Sequence, residues 1–234
     1  MVAPAAPSET PARQARAVLR AADRAALATS QEGWPFASLV LAALDHDGTP
    51  LLLISDLSEH AKNIKREPRV SLLFDGTQGL DDPLTGPRVT VLGEARASAE
   101  RHLRQRFLAR HPAAELYAGF ADFQLYRVAV ARAHLVAGFG RIHWIAAAEL
   151  LPAVDPAWAA REAEIVAALD GDDARRHALL SAHGLDDAWR LTGLDPEGAD
   201  LRNGGSVARL EFATVARAPD DGLAAIGQAR LTKL

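Results

Sequence analysis

The chain contains no cysteine. That one absence removes disulfides, thiolate zinc sites, iron–sulfur clusters and cysteine nucleophiles together. A strong charge imbalance is also missing. The formal net charge of −4 argues against nonspecific nucleic-acid binding as the main role. No apolar run approaches the length of a membrane span, so no membrane partner is expected. The opening MVAPAAPSETPA lacks the basic and apolar regions of a secretory signal, which points to a cytoplasmic protein with a disordered tail over residues 1–12. No HExxH pattern occurs, and His177 and His183, six apart, do not share a helix face as a metal pair requires. Gly138-Phe139-Gly140 is a fragment of a dinucleotide fingerprint, with His143 at the third glycine position. Walker loops and G-x-S-x-G elbows are absent, which leaves nucleotide and serine hydrolases without support.

What is present is an ordinary globular composition, 49% hydrophobic and 24% charged, in a chain long enough for one large domain or for one medium and one small. Thr10-Pro11 starts a helix, a capping hydroxyl followed by proline at the first helical position. Strands follow at Ala26–Ser30, Pro35–Leu44 and Leu51–Ser55, joined by turns at Gln31-Glu32-Gly33 and Asp47-Gly48. After a short helix come Val70–Phe74, a Gly/Asp/Pro-rich loop and Arg88–Ala97. Ser98 opens a basic helix ended by Pro112, with Leu103, Phe107 and Leu108 on one face. Its Arg101, Arg104, Arg106 and Arg110 fit a solvated face better than an anionic partner, given the acidic total. Phe123–Val130, Ala133–Ala137 and Ile142–Ile145 complete the strands. The first three strands have no helix between them, so the pattern is that of an antiparallel barrel. Composition shifts near Leu151, where Pro152–Pro156 resembles a linker. An alanine-rich helical region over Ala157–His183, a three-strand meander and a closing helix over Pro219–Leu234 follow. The organisation is therefore a tail (1–12), a barrel (13–150) and a small α+β domain (151–234).

Chemistry concentrates in Ile54–Phe74, ISDLSEHAKNIKREPRVSLLF. Asp56 or Ser58 caps a short helix that Pro68 stops. Its first two turns crowd Ser58, His60, Lys62 and Asn63 together. Unpaired N–H groups and partial positive charge at a helix start, joined by hydroxyl, imidazole and ammonium, suit a phosphate. Each residue alone also has an ordinary place on a solvated face.

That stretch resembles the phosphate-binding strand–helix–strand of the FMN-binding split barrels, the pyridoxamine 5'-phosphate oxidase-like superfamily. GFADFQLYRVAVARAHLVAGFGRIHWI (119–145) resembles the haem-utilisation, HugZ-like branch of that superfamily. Residues 151–234 are similar to a small domain of unknown function that often follows this barrel. Its usual His-Met-Asn-x-Asp-His motif stands here as Ala168-Leu169-Asp170-Gly171-Asp172-Asp173, without either histidine. The resemblance implies an α+β fold: a six-stranded antiparallel split β-barrel followed by a small α+β domain, forming a homodimer with a cofactor groove at the interface. It places FMN phosphate against Ser55, Ser58, His60, Lys62 and Asn63, with Ser38 facing the same groove. Many relatives carry an arginine where this chain has His60 or Ala61. An FMN-dependent oxidoreductase acting on a small molecule is the leading expectation, with no catalytic residue assigned. The alternative is a haem-binding or haem-degrading protein with His143 as iron ligand and Arg141 beside a propionate. A third possibility is a non-catalytic dimeric module. Phe120, Phe123, Tyr126 and Phe139 are expected as core and interface packing.

Overall fold

The computed structural model describes residues 10–233. The expected tail lies outside the described residues up to position 9, and the chain is helical from Pro11 onward. Helix α1 (Pro11–Ala21) has the anticipated start, with the Thr10 hydroxyl accepting from the Arg13 amide at 3.3 Å. Then come β1 (Arg24–Gln31), β2 (Trp34–Leu41), the two-residue β3 (Ala43–Leu44), β4 (Pro50–Ser55), α2 (Glu59–Arg66), β5 (Arg69–Asp75) and β6 (Pro87–Ala97). Helices α3 (Arg101–Arg110) and α4 (Glu115–Ala118) lead to β7 (Phe123–Ala137), β8 (Ile142–Ala146) and α5 (Ala147–Leu150).

All these strands pair antiparallel in one curled sheet of order β2-β1-β5-β6-β7-β4-β3, with β8 also on β7. Alternation decides which side chains form the core. Leu27, Leu72, Phe74, Val89, Val91 and Leu135 face inward and are fully buried, closed over by Leu19 of α1 and Ile64 of α2. The resemblance implied six strands, and the sheet has eight segments. Pro35–Leu44 breaks at Ala42 into β2 and β3, and β8 adds an edge, whereas Phe123–Val130 and Ala133–Ala137 run together as the 15-residue β7. What links them is a β-bulge. Leu92 pairs with Arg132 and Gly93 with Val130, leaving Ala131 as the extra residue. A side chain at Gly93 would run into the Ala129 carbonyl and the Val128 methyl. Gly93→Ala is therefore expected to cost about 1–3 kcal/mol through overpacking, read as a lowered urea midpoint at unchanged slope.

Beyond Leu151, α6 (Ala157–Gly171) and α8 (Pro219–Ala225) pack on a second antiparallel sheet, and α7 (Asp173–Ala182) packs on α6. Its strands are β9 (Arg190–Asp195), β10 (Gly198–Asn203), β11 (Ser206–Glu211) and β12 (Arg230–Lys233), in the order β12-β11-β10-β9. Trp158, Leu180, Leu194, Leu201, Leu210 and Phe212 fill its own core. The expected closing helix stops at Ala225, and Arg230–Lys233 turns back as a fourth strand beside β11. Among the described residues no helix is long and apolar enough to cross a membrane.

Candidate functional site

The start of α2 is built much as its residues suggested. Ser58 is the cap, its hydroxyl accepting from the Ala61 amide at 3.3 Å and donating to the Ser55 carbonyl at 2.8 Å. Ser55 Oγ donates to the Asp122 carboxylate and accepts from the Leu57 amide, which ties the end of β4 to the start of β7. Ser38 on β2 meets His60, with Nδ1 and Oγ 3.2 Å apart. Asn63 is fully buried and donates to Thr29 Oγ1 at 3.1 Å, while its own amide oxygen has no partner.

The six residues therefore do not converge on one point. Ser38, His60 and Asn63 face the sheet, because three-residue spacing keeps His60 and Asn63 on one side of the helix. Lys62 lies on the exposed side and is held by Glu59 at 2.7 Å. Ser58 is committed to the cap. Burial keeps the His60 imidazole below its ordinary value, so it is neutral at pH 7. A phosphate dianion placed here would meet one neutral imidazole and hydroxyls but no converging cation, a poor donor set for FMN as built.

A second group of side chains lies on the outer face of the barrel sheet. One register row crosses five strand pairs, Leu39–Ala26–Leu73–Thr90–His134–Trp144. Leu39 is 74% exposed and Trp144 57%, unusual for large apolar groups. Trp144 stacks on His134 with ring centroids 4.6 Å apart, and the Arg132 guanidinium sits 4.4 Å from the indole centroid. An open groove of about 700 Å³ runs beside this row where the bulge bends β7, between Arg69 and Arg132. Neither Arg132 nor His134 was singled out from the sequence. The signal was their two-residue spacing in the stretch ARAHLVAGFGRIHW, which puts both on one face of a strand.

His143 precedes Trp144, and alternation sends its side chain to the opposite face of β8, at the sheet's edge. It is exposed, and no hydrogen bond or ring stacking engages it among the described residues. Exposed Ile142 and Phe139, the latter 90% exposed, flank it in sequence. Arg141, two residues before it, donates to the Ala137 carbonyl. Of the aromatics expected to pack, Tyr126 is in the core, Phe123 is half-buried against Tyr117, and Phe120 and Phe139 are exposed.

A curled antiparallel sheet with a short helix seated at its strand ends is the architecture of the pyridoxamine 5'-phosphate oxidase-like split barrels. More specifically, the chain belongs to the CREG β-barrel family, whose model matches residues 6–151. A chloroplast protein of Arabidopsis thaliana described as the non-canonical haem oxygenase HOZ is 35% identical over 127 residues. Those residues are 51% of this chain and 38% of that protein, so the chain spans well under half of this relative. Atu2129 of Agrobacterium tumefaciens, of unknown function, has 28% identity and a TM-score of 0.78, covering 95% of this chain and 96% of its own. A haem-binding protein from Mycobacterium smegmatis has 29% identity and a TM-score of 0.58, with coverage of 94% and 96%.

Proposed function

We propose that this protein is a haem-binding protein, with His143 as the iron ligand. The observation that carries the reading is a free, exposed imidazole on an edge strand whose neighbours Phe139, Ile142 and Trp144 are exposed and apolar. A porphyrin needs a neutral nitrogen ligand, flat apolar contact and cations for its propionates, and Arg141, two residues before His143, is the guanidinium nearest it in sequence. Bound haem would supply the redox chemistry, and the residues named here would bind and orient it. Two relatives whose names refer to haem support the same reading.

The protein acts as a homodimer in this proposal. Leu39, Leu73 and Trp144 form an apolar row that a second copy would cover, bringing the two β8 edges to the rim of the interface. Haem added to the purified protein should give a stoichiometric Soret change. Trp144→Ala should weaken the dimer, read as a shift toward monomer in analytical ultracentrifugation, while leaving the fold intact by circular dichroism. Failure of the wild-type protein to shift the Soret band would refute the proposal.

The second reading is an FMN oxidoreductase acting on a small molecule. It is favoured by the Ser38–His60 pair beside the start of α2. Ser55, Ser58, His60, Lys62 and Asn63 would then hold the phosphate, with Lys62 released from Glu59. Under that reading Lys62→Ala lowers flavin retention and His143→Ala does not.

A further inference from the structure

His46 lies in the β3–β4 turn and is 4% exposed, and it is one of the points at which the barrel side meets α6. Its Nε2 is 2.8 Å from Glu162 Oε2, and its Nδ1 is 3.3 Å from Asp45 Oδ1. Carboxylates stand at both ring nitrogens. A neutral imidazole has one N–H and one lone pair, so in this place it would aim the lone pair at a carboxylate. Only the imidazolium donates from both ends.

The surroundings extend the pattern. Glu162 on α6 also pairs with Arg106 of α3, and Asp45 also pairs with Arg127 of β7 at 3.3 Å. Arg127 reaches Asp47 in the same turn as well, at 3.2 Å. From α1, Arg20 donates to the His46 carbonyl at 2.7 Å. From α6, the Trp158 ring lies 6.3 Å from the imidazole, and His102 of α3 borders the same cleft. Charges thus alternate along Arg127, Asp45, His46, Glu162 and Arg106, from the barrel turn through His46 to α6 and back to α3. Beside His46 an open cleft of about 440 Å³ separates the turn from the segment 151–156 and the first turn of α6.

We infer that His46 is a proton-operated latch between the two sheets: protonated, it clamps α6 to the barrel turn, and deprotonated, it lets the first turns of α6 and the segment 151–156 loosen. The electrostatics run the same way. Burial and Arg106 push the His46 imidazole down, but the hydrogen bonds to Asp45 and Glu162 lift it above its ordinary value. Burial likewise pushes Asp45 up, and the hydrogen bonds and charge of His46 bring it down to about 2. A histidine raised by folding stabilises the closed junction below the unfolded value and loses that contribution as pH rises through the folded one. The junction is therefore tight in mild acid and loosens through neutral into mild alkali.

Two measurements on the full chain test this. Nitrogen-15 shifts of the His46 ring should show both nitrogens protonated at about pH 6.5, the ordinary midpoint of a free histidine. A single protonated nitrogen there overturns the latch. Hydrogen exchange over residues 151–163, corrected for its intrinsic pH dependence, should accelerate at least about threefold between pH 6 and pH 8.5, while residues 89–97 of β6 stay unchanged. His46→Gln should show the fast rate at both pH values, and Asp45→Asn should move the transition to lower pH. Wild-type exchange that is flat with pH, or His46→Gln exchange that still follows the wild-type profile, contradicts it.

Discussion

Asp195→Ala is expected to destabilise the chain by about 3–5 kcal/mol, the size of effect seen when one partner of a buried ion pair is removed. Asp195 is fully buried, and it accepts from Arg209 at 2.8 and 2.9 Å and from Arg20 at 2.9 Å, with Arg106 at 3.5 Å. Arg20 and Arg106 belong to α1 and α3 on the barrel side, and both are buried. Their carboxylates are Asp195, Glu197 and Glu162, all beyond residue 151. Arg110 repeats the arrangement with Asp200 at 3.5 Å, while one of its nitrogens caps carbonyls at the end of α1. Removing Asp195 leaves Arg20 with Glu197, Arg209 with Asp200 and Arg106 with Glu162, so three buried guanidiniums lose the carboxylate they share. Guanidinium chloride unfolding should show the loss, and cutting the chain after Leu151 should leave an aggregating fragment. Burial pushes the Asp195 carboxyl up, but Arg20 and Arg209 pull it well below the ordinary carboxylate range. A depressed carboxyl stabilises above its unfolded value and loses that contribution as pH falls through its folded one. The junction should accordingly survive mild acid and fail only in strong acid, the opposite sense from His46.

That junction was the least legible part of the chain. Arg106 and Arg110 sit on a helix with arginines at four positions, and an overall acidic composition made solvent the natural destination for all of them. The structure corrects this for two: Arg106 and Arg110 are buried, because α3 lies against β9 and its partners arrive from far along the chain. Local sequence carries no signal for a partner 56 or 88 residues away. Elements with a local cause were legible. Thr10 and Ser58 cap their helices as expected, Asp47-Gly48 turns, and inward alternation fixed the core strands. Ser98 did not cap α3, which starts from Glu100 with no side-chain cap bond. Helix α2 was legible as an element. Residue types at its start suggested a phosphate seat, whereas the orientation of Lys62 was decided by Glu59, three residues away.

His143→Ala should weaken haem binding by at least about tenfold, equivalent to the loss of one strong bond's worth of discrimination. His143 would give the protein a coordinate bond to the iron, whereas the surrounding contacts would be apolar and non-directional. His134→Ala is the control. That ring is packed against Trp144 on the outer face, away from His143, so its removal should leave both haem affinity and the Soret position of the bound form unchanged. If His134→Ala instead shifts the Soret band and His143→Ala does not, the ligand lies on the outer face and the assignment of His143 fails.

The most direct measurement offers haem and FMN together to the wild-type protein, followed by desalting and an absorption spectrum of what is retained. A Soret band without the two flavin bands, abolished in His143→Ala and preserved in Lys62→Ala, is the expected result. Retained flavin bands that vanish in Lys62→Ala, with no Soret band, would contradict it.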